Sequence, residues 1–242
     1  MNKALNAKEL KAGSDLFSLS ELNFLSGMDM DELDKTVYRD HFGEKGDCLY
    51  REGDACKSLY VIRSGSLKIT TQNSSGISQI VGFHLAGELI GFDGFATNRH
   101  ACTAQFIETA SVSEWRLETL DDLCKSSPSL LHKIYSILGL EINTEHELLW
   151  LLGRMNGEEK LAIFLLNFSS RMKQHHWKES EFNLSMPRQD IANYLGVAVE
   201  TISRLFEQFR DDGLIDVNRR HIKIIDKERL NKIIFDHSGK VK

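Results

Sequence analysis

The sequence predicts an α+β chain in three parts: a small all-β barrel or roll, a long amphipathic helix, and a C-terminal module of two short helices followed by a hairpin. Three observations carry this reading. Between residues 41 and 118, glycines recur at short intervals and separate β-type runs such as SLYVIR, SLKITT and QIVGFHL, the pattern of an all-β unit. Over residues 129–155, apolar side chains recur at spacings of three, four and seven, one stripe of a long helix. Over residues 186–225, two short helical patterns meet at Gly196 and lead into two strand-like runs. The expected boundaries are residues 1–128, 129–155 and 156–242.

Composition narrows the class. The chain has 242 residues, 41% hydrophobic and 27% charged, as in an ordinary globular protein of one or two domains. No apolar run approaches the roughly 20 residues that cross a bilayer. The start, MNKALNAKELKAGSDLF, lacks a signal-peptide core, so the cytoplasm is the expected location. The net charge of −5 conceals a split: residues 1–152 hold 14 Lys+Arg against 22 Asp+Glu, net −8, and residues 153–242 hold 16 against 13, net +3. A mildly basic C-terminal part suits phosphate contact, which needs Lys and Arg locally. Cys48, Cys56, Cys102 and Cys124 form no CxxC pair. Metal sites usually bring two ligands close in sequence, so these thiols are expected to be reduced and partly buried.

In chain order, DMDELDKTVY (residues 29–38) reads as a short helix capped by Asp29 or Asp31. Ser64-Gly65, between SLYVIR and SLKITT, reads as a hairpin turn. ETLDDLCKSSP is a short helix that Pro128 ends or separates from the next. The long helix carries Leu131, Ile134, Tyr135, Leu138, Ile142, Leu149 and Leu152 on its stripe. Such a stripe needs a cover, either its own domain or the same helix of a second subunit, and a homodimer is the favoured expectation. Glu145 falls at a heptad position that asks for an apolar residue. In a symmetric pair two such carboxylates meet and weaken the dimer unless protonated, paired or splayed into water. The alternative is that the helices diverge there and Glu145 is solvated.

In MPRQDIANYLGVAVETISRLFEQFRDDGLI, Pro187 opens the first helix of the module, and Ile191, Ala192 and Leu195 give it a buried face. Gly196 supplies the tight turn. Val199, Ile202, Leu205 and Phe206 give the second helix its own buried face, leaving Glu200, Thr201, Ser203 and Arg204 outward at its N-terminal end. Those are the groups a recognition helix offers the major groove: arginine bonds guanine O6 and N7 bidentately, and glutamate accepts from a cytosine amino group. LIDVNRRHIKII (residues 214–225) folds into two strands around Asn218-Arg219-Arg220, a wing with arginines near phosphate. The DNA-contacting set is therefore Glu200, Thr201, Ser203, Arg204, Arg188, Arg219 and Arg220.

The segments LYVIRSGSLK (59–68), GFHLAGELIGFD (82–93), ETLDDL (118–123), DIANYLG (190–196) and VETISRL (199–205) together resemble the CRP/FNR family, most nearly its FNR branch of fumarate and nitrate reduction regulators. The resemblance spans nearly the whole chain. It implies a cupin-like β-roll sensor domain of the cyclic-nucleotide-binding type, a dimerisation helix and a winged helix-turn-helix. It also implies DNA reading through Glu200, Ser203 and Arg204 at an inverted TTGAT-like repeat, and activation through RNA polymerase.

Two departures shape the expectation about cofactors. The FNR branch holds a 4Fe–4S cluster on three N-terminal cysteines and one in the roll, and the matching positions here are Ser14, Phe17, Asn23 and Ser113. Thiolates hold such clusters, so none is expected. The cAMP branch uses Gly-Glu-Leu followed by Arg-Ser; Gly87-Glu88-Leu89 is present, but His100-Ala101 replaces Arg-Ser and Arg99 is one residue off. An arginine–phosphate fork is geometric, so cAMP is not expected either. A thiol switch among the four cysteines, a small-ligand response and a repressor role stay open as alternatives. An enzyme on the roll is disfavoured because His84 and His100 stand alone in sequence.

Overall fold

The computed structural model describes residues 38–174 and 180–236; the expected helix at 29–38 lies almost wholly outside them, as do Ser14, Phe17 and Asn23. The N-terminal strands are β1 (Arg39–Gly43), β2 (Cys48–Tyr50), β3 (Ser58–Ser64), β4 (Ser66–Gln72), β5 (Ser78–Leu85), β6 (Leu89–Ile90), β7 (Thr103–Phe106) and β8 (Ala110–Arg116). They form two antiparallel four-stranded sheets ordered β1-β8-β3-β6 and β2-β7-β4-β5, which places β5 at a sheet edge. Strand side chains alternate between faces, and β3 uses both. Ile62 packs between the sheets with Leu67, Phe106 and Val112, while Leu59 and Val61 point the other way onto helices.

The Ser64-Gly65 hairpin expectation is corrected. β3 and β4 belong to different sheets, so Gly65 is a corner at which the chain changes layer. Its φ of +76 lies in the left-handed region, and a Cβ there would sit 2.6 Å from the Thr109 carbonyl oxygen and from Ala110 Cβ. Crowding by a second strand, rather than hairpin geometry, requires glycine here.

α1 (Leu117–Ser126) and α2 (Pro128–Arg154) follow, with Pro128 at the first turn of α2, where its missing N–H is harmless. Leu130, Ile134 and Ile137 of α2 bury against Leu59, Val61, Leu89, Trp115 and Leu120, and Leu138 packs beside them. The stripe therefore divides. Ile134, expected between subunits, is instead covered by its own roll, whereas Tyr135, Ile142 and Leu149, seven residues apart, remain 58%, 53% and 68% exposed.

Asn156 breaks the helix with a reciprocal cap. Its Oδ1 accepts from the N–H groups of Glu158 and Glu159, while Glu159 Oε2 accepts from Asn156 N–H at 2.7 Å. Then come α3 (Gly157–Gln174), β9 (Glu181–Asn183), α4 (Arg188–Leu195), α5 (Val199–Asp211), β10 (Ile215–Asn218), β11 (His221–Ile224) and α6 (Lys227–Asp236). The last sheet is ordered β10-β11-β9. One apolar cluster runs from Ile80, Phe83 and Leu85 of the roll through Leu161, Phe164 and Phe168 of α3 to Ile191, Leu195, Ile202 and Phe209.

Gly65→Ala is expected to lose roughly 2–4 kcal/mol of stability, from overpacking plus the left-handed backbone. Chemical denaturation of the variant measures this.

Candidate nucleic-acid interface

Helices α4 and α5 meet at Gly196, whose φ of 62 and ψ of 41 end α4 in the left-handed conformation. The Gly196 and Val197 N–H groups return to the carbonyls of Asn193 and Ala192, a glycine stop of the usual kind. Ile191, Ala192 and Leu195 face Ile202, Leu205, Phe206 and Phe209, all buried. Val199, expected in that face, is 38% exposed. It shares a side with Ser203, whose hydroxyl donates to the Val199 carbonyl at 3.0 Å, as residues four apart on a helix do.

The exposed side of α5 brings together Glu200, Ser203 and Arg204, so the three base-reading candidates share one open face. Thr201 is half-buried and lies beside Gly157 of α3. Arg188 is also half-buried, with its guanidinium carbon 3.3 Å over the Phe206 ring. Desolvation pushes its pKa down to about 10, leaving it charged at neutral pH and fixed by a cation–π contact. Arg219, at a φ of 57, and Arg220 are exposed in the two-residue turn between β10 and β11. The wing thus exists as expected, with β9 as a third strand.

A second feature is a cavity of about 390 Å³ between the roll, α2, α3 and Tyr194 of α4. It sits where a cyclic-nucleotide ligand would be sought, but its charges do not suit a phosphate. Glu88, Asp93, Glu141, Glu145 and Glu147 line it, against Arg171 and His84. Arg171 is taken: its Nη2 donates to Glu88 Oε1 and Oε2 at 2.6 and 2.8 Å and to the Phe83 carbonyl at 2.8 Å, and its Nε donates to Glu88 Oε1 at 3.0 Å. Burial opposes the Glu88 charge, but Arg171 and His84 outweigh it and hold the pKa at about 2. His100 is buried, stacked 3.7 Å from the Tyr50 ring, with Nδ1 3.1 Å from Asp93. Arg99 is exposed and donates to the Gly53 carbonyl at 2.7 Å. No free guanidinium among the described residues faces this cavity.

The cluster position in the roll is likewise committed. Ser113 is buried, accepts from Arg63 Nε at 2.7 Å and donates to Asp40 Oδ1 at 2.7 Å. Burial pushes up the thiols of Cys56 and Cys124, and that of Cys102 to about 11. Thiolate is the reactive form, so these three are poor redox nucleophiles at neutral pH.

A cyclic-nucleotide-type roll joined by a long helix to a winged helix-turn-helix defines a class of DNA-binding regulator, and comparison with known proteins agrees. Residues 41–127 match the cyclic nucleotide-binding domain and residues 159–233 the Crp-like helix-turn-helix domain. The chain is 42% identical over 209 residues to the fumarate nitrate reduction regulatory protein of Klebsiella oxytoca, covering 86% of this chain and 84% of that one. It is 42% identical over 207 residues to electron transport regulator A of Shewanella oneidensis, covering 86% and 83%. The solved structure of FixK2 from Bradyrhizobium japonicum superimposes with a TM-score of 0.73 at 26% identity, over 81% of this chain and 96% of that one. The chain belongs to the CRP/FNR family: it is a DNA-binding transcription regulator and not an enzyme. No helix among the described residues is long and apolar enough to cross a membrane.

The cavity generates a pH prediction. Glu147 Oε2 is buried with no hydrogen-bond partner among the described residues, and burial raises its pKa from 4.5 to about 7. The folded state thus favours the neutral acid. Its contribution is present below pH 4.5 and is lost as pH rises through about 7. Glu147→Gln is expected to leave the melting temperature unchanged at pH 4 and to raise it by roughly 2–6 °C at pH 8. That corresponds to about 1–2 kcal/mol after discounting for partial exposure.

Proposed function

We propose that the protein is a homodimeric regulator, acting as an activator through RNA polymerase, that reads an inverted TTGAT-like repeat with neither a 4Fe–4S cluster nor a cyclic nucleotide. The observation that carries the reading is the open face of α5, where Glu200, Ser203 and Arg204 stand exposed together. Arg204 supplies the fork for guanine and Glu200 the acceptor for a cytosine amino group. Ser203 spends its proton on the Val199 carbonyl, so it meets the base as an acceptor. Arg219 and Arg220 approach the backbone, and Arg188 and Thr201 support α5 from beneath.

The dimer rests on α2. Tyr135, Ile142 and Leu149 form one heptad row and remain exposed, and Leu131, Leu138, Glu145 and Leu152 form the row beside it. Two such helices, packed about a twofold, cover the exposed row and place the two α5 helices for half-sites one helical turn apart. Glu145 is exposed and can turn toward water in such a pair. Absence of a cluster is supported by Ser14, Phe17 and Asn23 in sequence and by the engaged Ser113. Absence of a cyclic nucleotide is supported by the acidic cavity and the engaged Arg171. The raised pKa values of three thiols weigh against a thiol switch. The activator assignment, with its polymerase contact, rests on kinship with the FNR branch.

Aerobically purified, iron-free protein is expected to bind a duplex carrying the inverted repeat with two chains per duplex, and to discriminate against a scrambled duplex. Iron-dependent binding would contradict the cofactor-free reading. Arg204→Ala is expected to lose about 1–3 kcal/mol on the repeat and little on scrambled DNA; equal losses on both would assign Arg204 to phosphate.

A further inference from the structure

The module that carries α5 is fastened to its own roll by α3 and α4. From α3, the Arg171 guanidinium forks onto Glu88 in the turn between β5 and β6 and reaches the Phe83 carbonyl. His84 Nδ1 lies 3.3 Å from the same carboxylate. From α4, Asn193 acts on the free edge of β5. Its Oδ1 accepts from the Ile80 N–H at 2.6 Å, its Nδ2 donates to the Ser78 carbonyl at 3.0 Å, and its own carbonyl accepts from Gln79 Nε2 at 2.6 Å. One amide side chain thus satisfies strand groups that a neighbouring strand would otherwise pair. Lys68 bonds Asp190 at 2.9 Å, and Ser66 bonds Ser185 at 2.7 Å. Tyr194 lays its ring 5.2 Å from Phe83. None of these contacts uses the exposed face of α5.

We propose that Arg171 and Asn193 are positioning residues for DNA reading: they fasten the reading module to the roll and so set the orientation of α5 with no added ligand. The residue of the Gly87-Glu88-Leu89 turn that faces the cavity is neutralised from within the chain. The fastening grips α3 and α4 from the side away from the bases, so it orients the reading helix without covering it. Two rigidly held heads in a dimer bind one repeat as a single bivalent unit. Two loosened heads lose the advantage of matched geometry, and with it the preference for one spacing of half-sites.

The proposal rests on α5 being the base-reading helix, and the experiment separates the two ideas. Binding of the wild type, Arg171→Gln and Asn193→Ala is measured on a single half-site, on the inverted repeat, and on repeats with one or two base pairs inserted or removed at the centre. The expected result is half-site affinity within about 3-fold of wild type, a loss of about 10-fold or more on the repeat, and weaker discrimination among spacings. A variant that merely unfolds would lose half-site binding as well. Should Arg171→Gln do so, Asn193→Ala, which leaves α3 untouched, decides. Wild-type affinity and spacing discrimination in both folded variants would overturn the proposal, as would tighter binding, which would make the fastening a restraint. Failure of the wild type to prefer the repeat over scrambled DNA would instead sink the base-reading assignment itself.

Discussion

The junction between β5 and α3 governs what the molecule can do. Ile80, Phe83 and Leu85 leave the roll, meet Phe164 and Phe168, and continue without a break into the core under the helix-turn-helix. A continuous apolar cluster cannot swivel without exposing part of itself to water, at a cost that scales with the area opened. The polar contacts of Arg171 and Asn193 sit at the margins of this cluster, where geometry rather than area decides. The cap at Asn156 leaves a sharp break between α2 and α3, so the direction of the reading module is fixed within a few residues of the end of the long helix.

The same junction uses a residue of the roll's Gly-Glu-Leu turn for the chain's own fastening. Shape and charge are separable. The turn Gly87-Glu88-Leu89 survives, but its carboxylate serves the chain's own guanidinium, and the other charges around the cavity are mostly carboxylates. Burial pushes Glu141 and Glu147 up, toward the neutral acid, while Glu88 stays ionised on Arg171 and His84, so the guanidinium of the cavity is already matched by a carboxylate of the chain. In the roll, Ser113 joins Arg63 and Asp40 in a hydrogen-bonded set, so the side chain at the fourth cluster position is already engaged within the chain.

Much of the fold was legible because it depends on local rules. Short β-type runs between glycines placed β3, β4 and β5, the apolar stripe placed α2, and Gly196 with its flanking faces placed α4 and α5. Ser64-Gly65 misled because a glycine between two strands reads the same whether the chain turns back or crosses to another sheet; only Thr109 and Ala110, over forty residues away, decide. Ile134 and Tyr135 are adjacent in sequence, and no periodicity says which is covered by the roll and which is left open. α3 was not singled out, although Asn156 and Glu159 have capping-box spacing before the run LAIFLLNF. The pairing of Glu88 with Arg171 spans 83 positions, and neither residue stands out alone.

The central claim is that the reading module is held on the roll by the chain itself. A distance measurement tests it most directly: spin labels at Ser75 on the roll and Glu228 on α6, in a chain with its four cysteines replaced, diluted with unlabelled protein. The account predicts one narrow distance distribution without any ligand, unchanged when the inverted repeat is bound. A broad distribution that narrows only on binding DNA or a small molecule would contradict it.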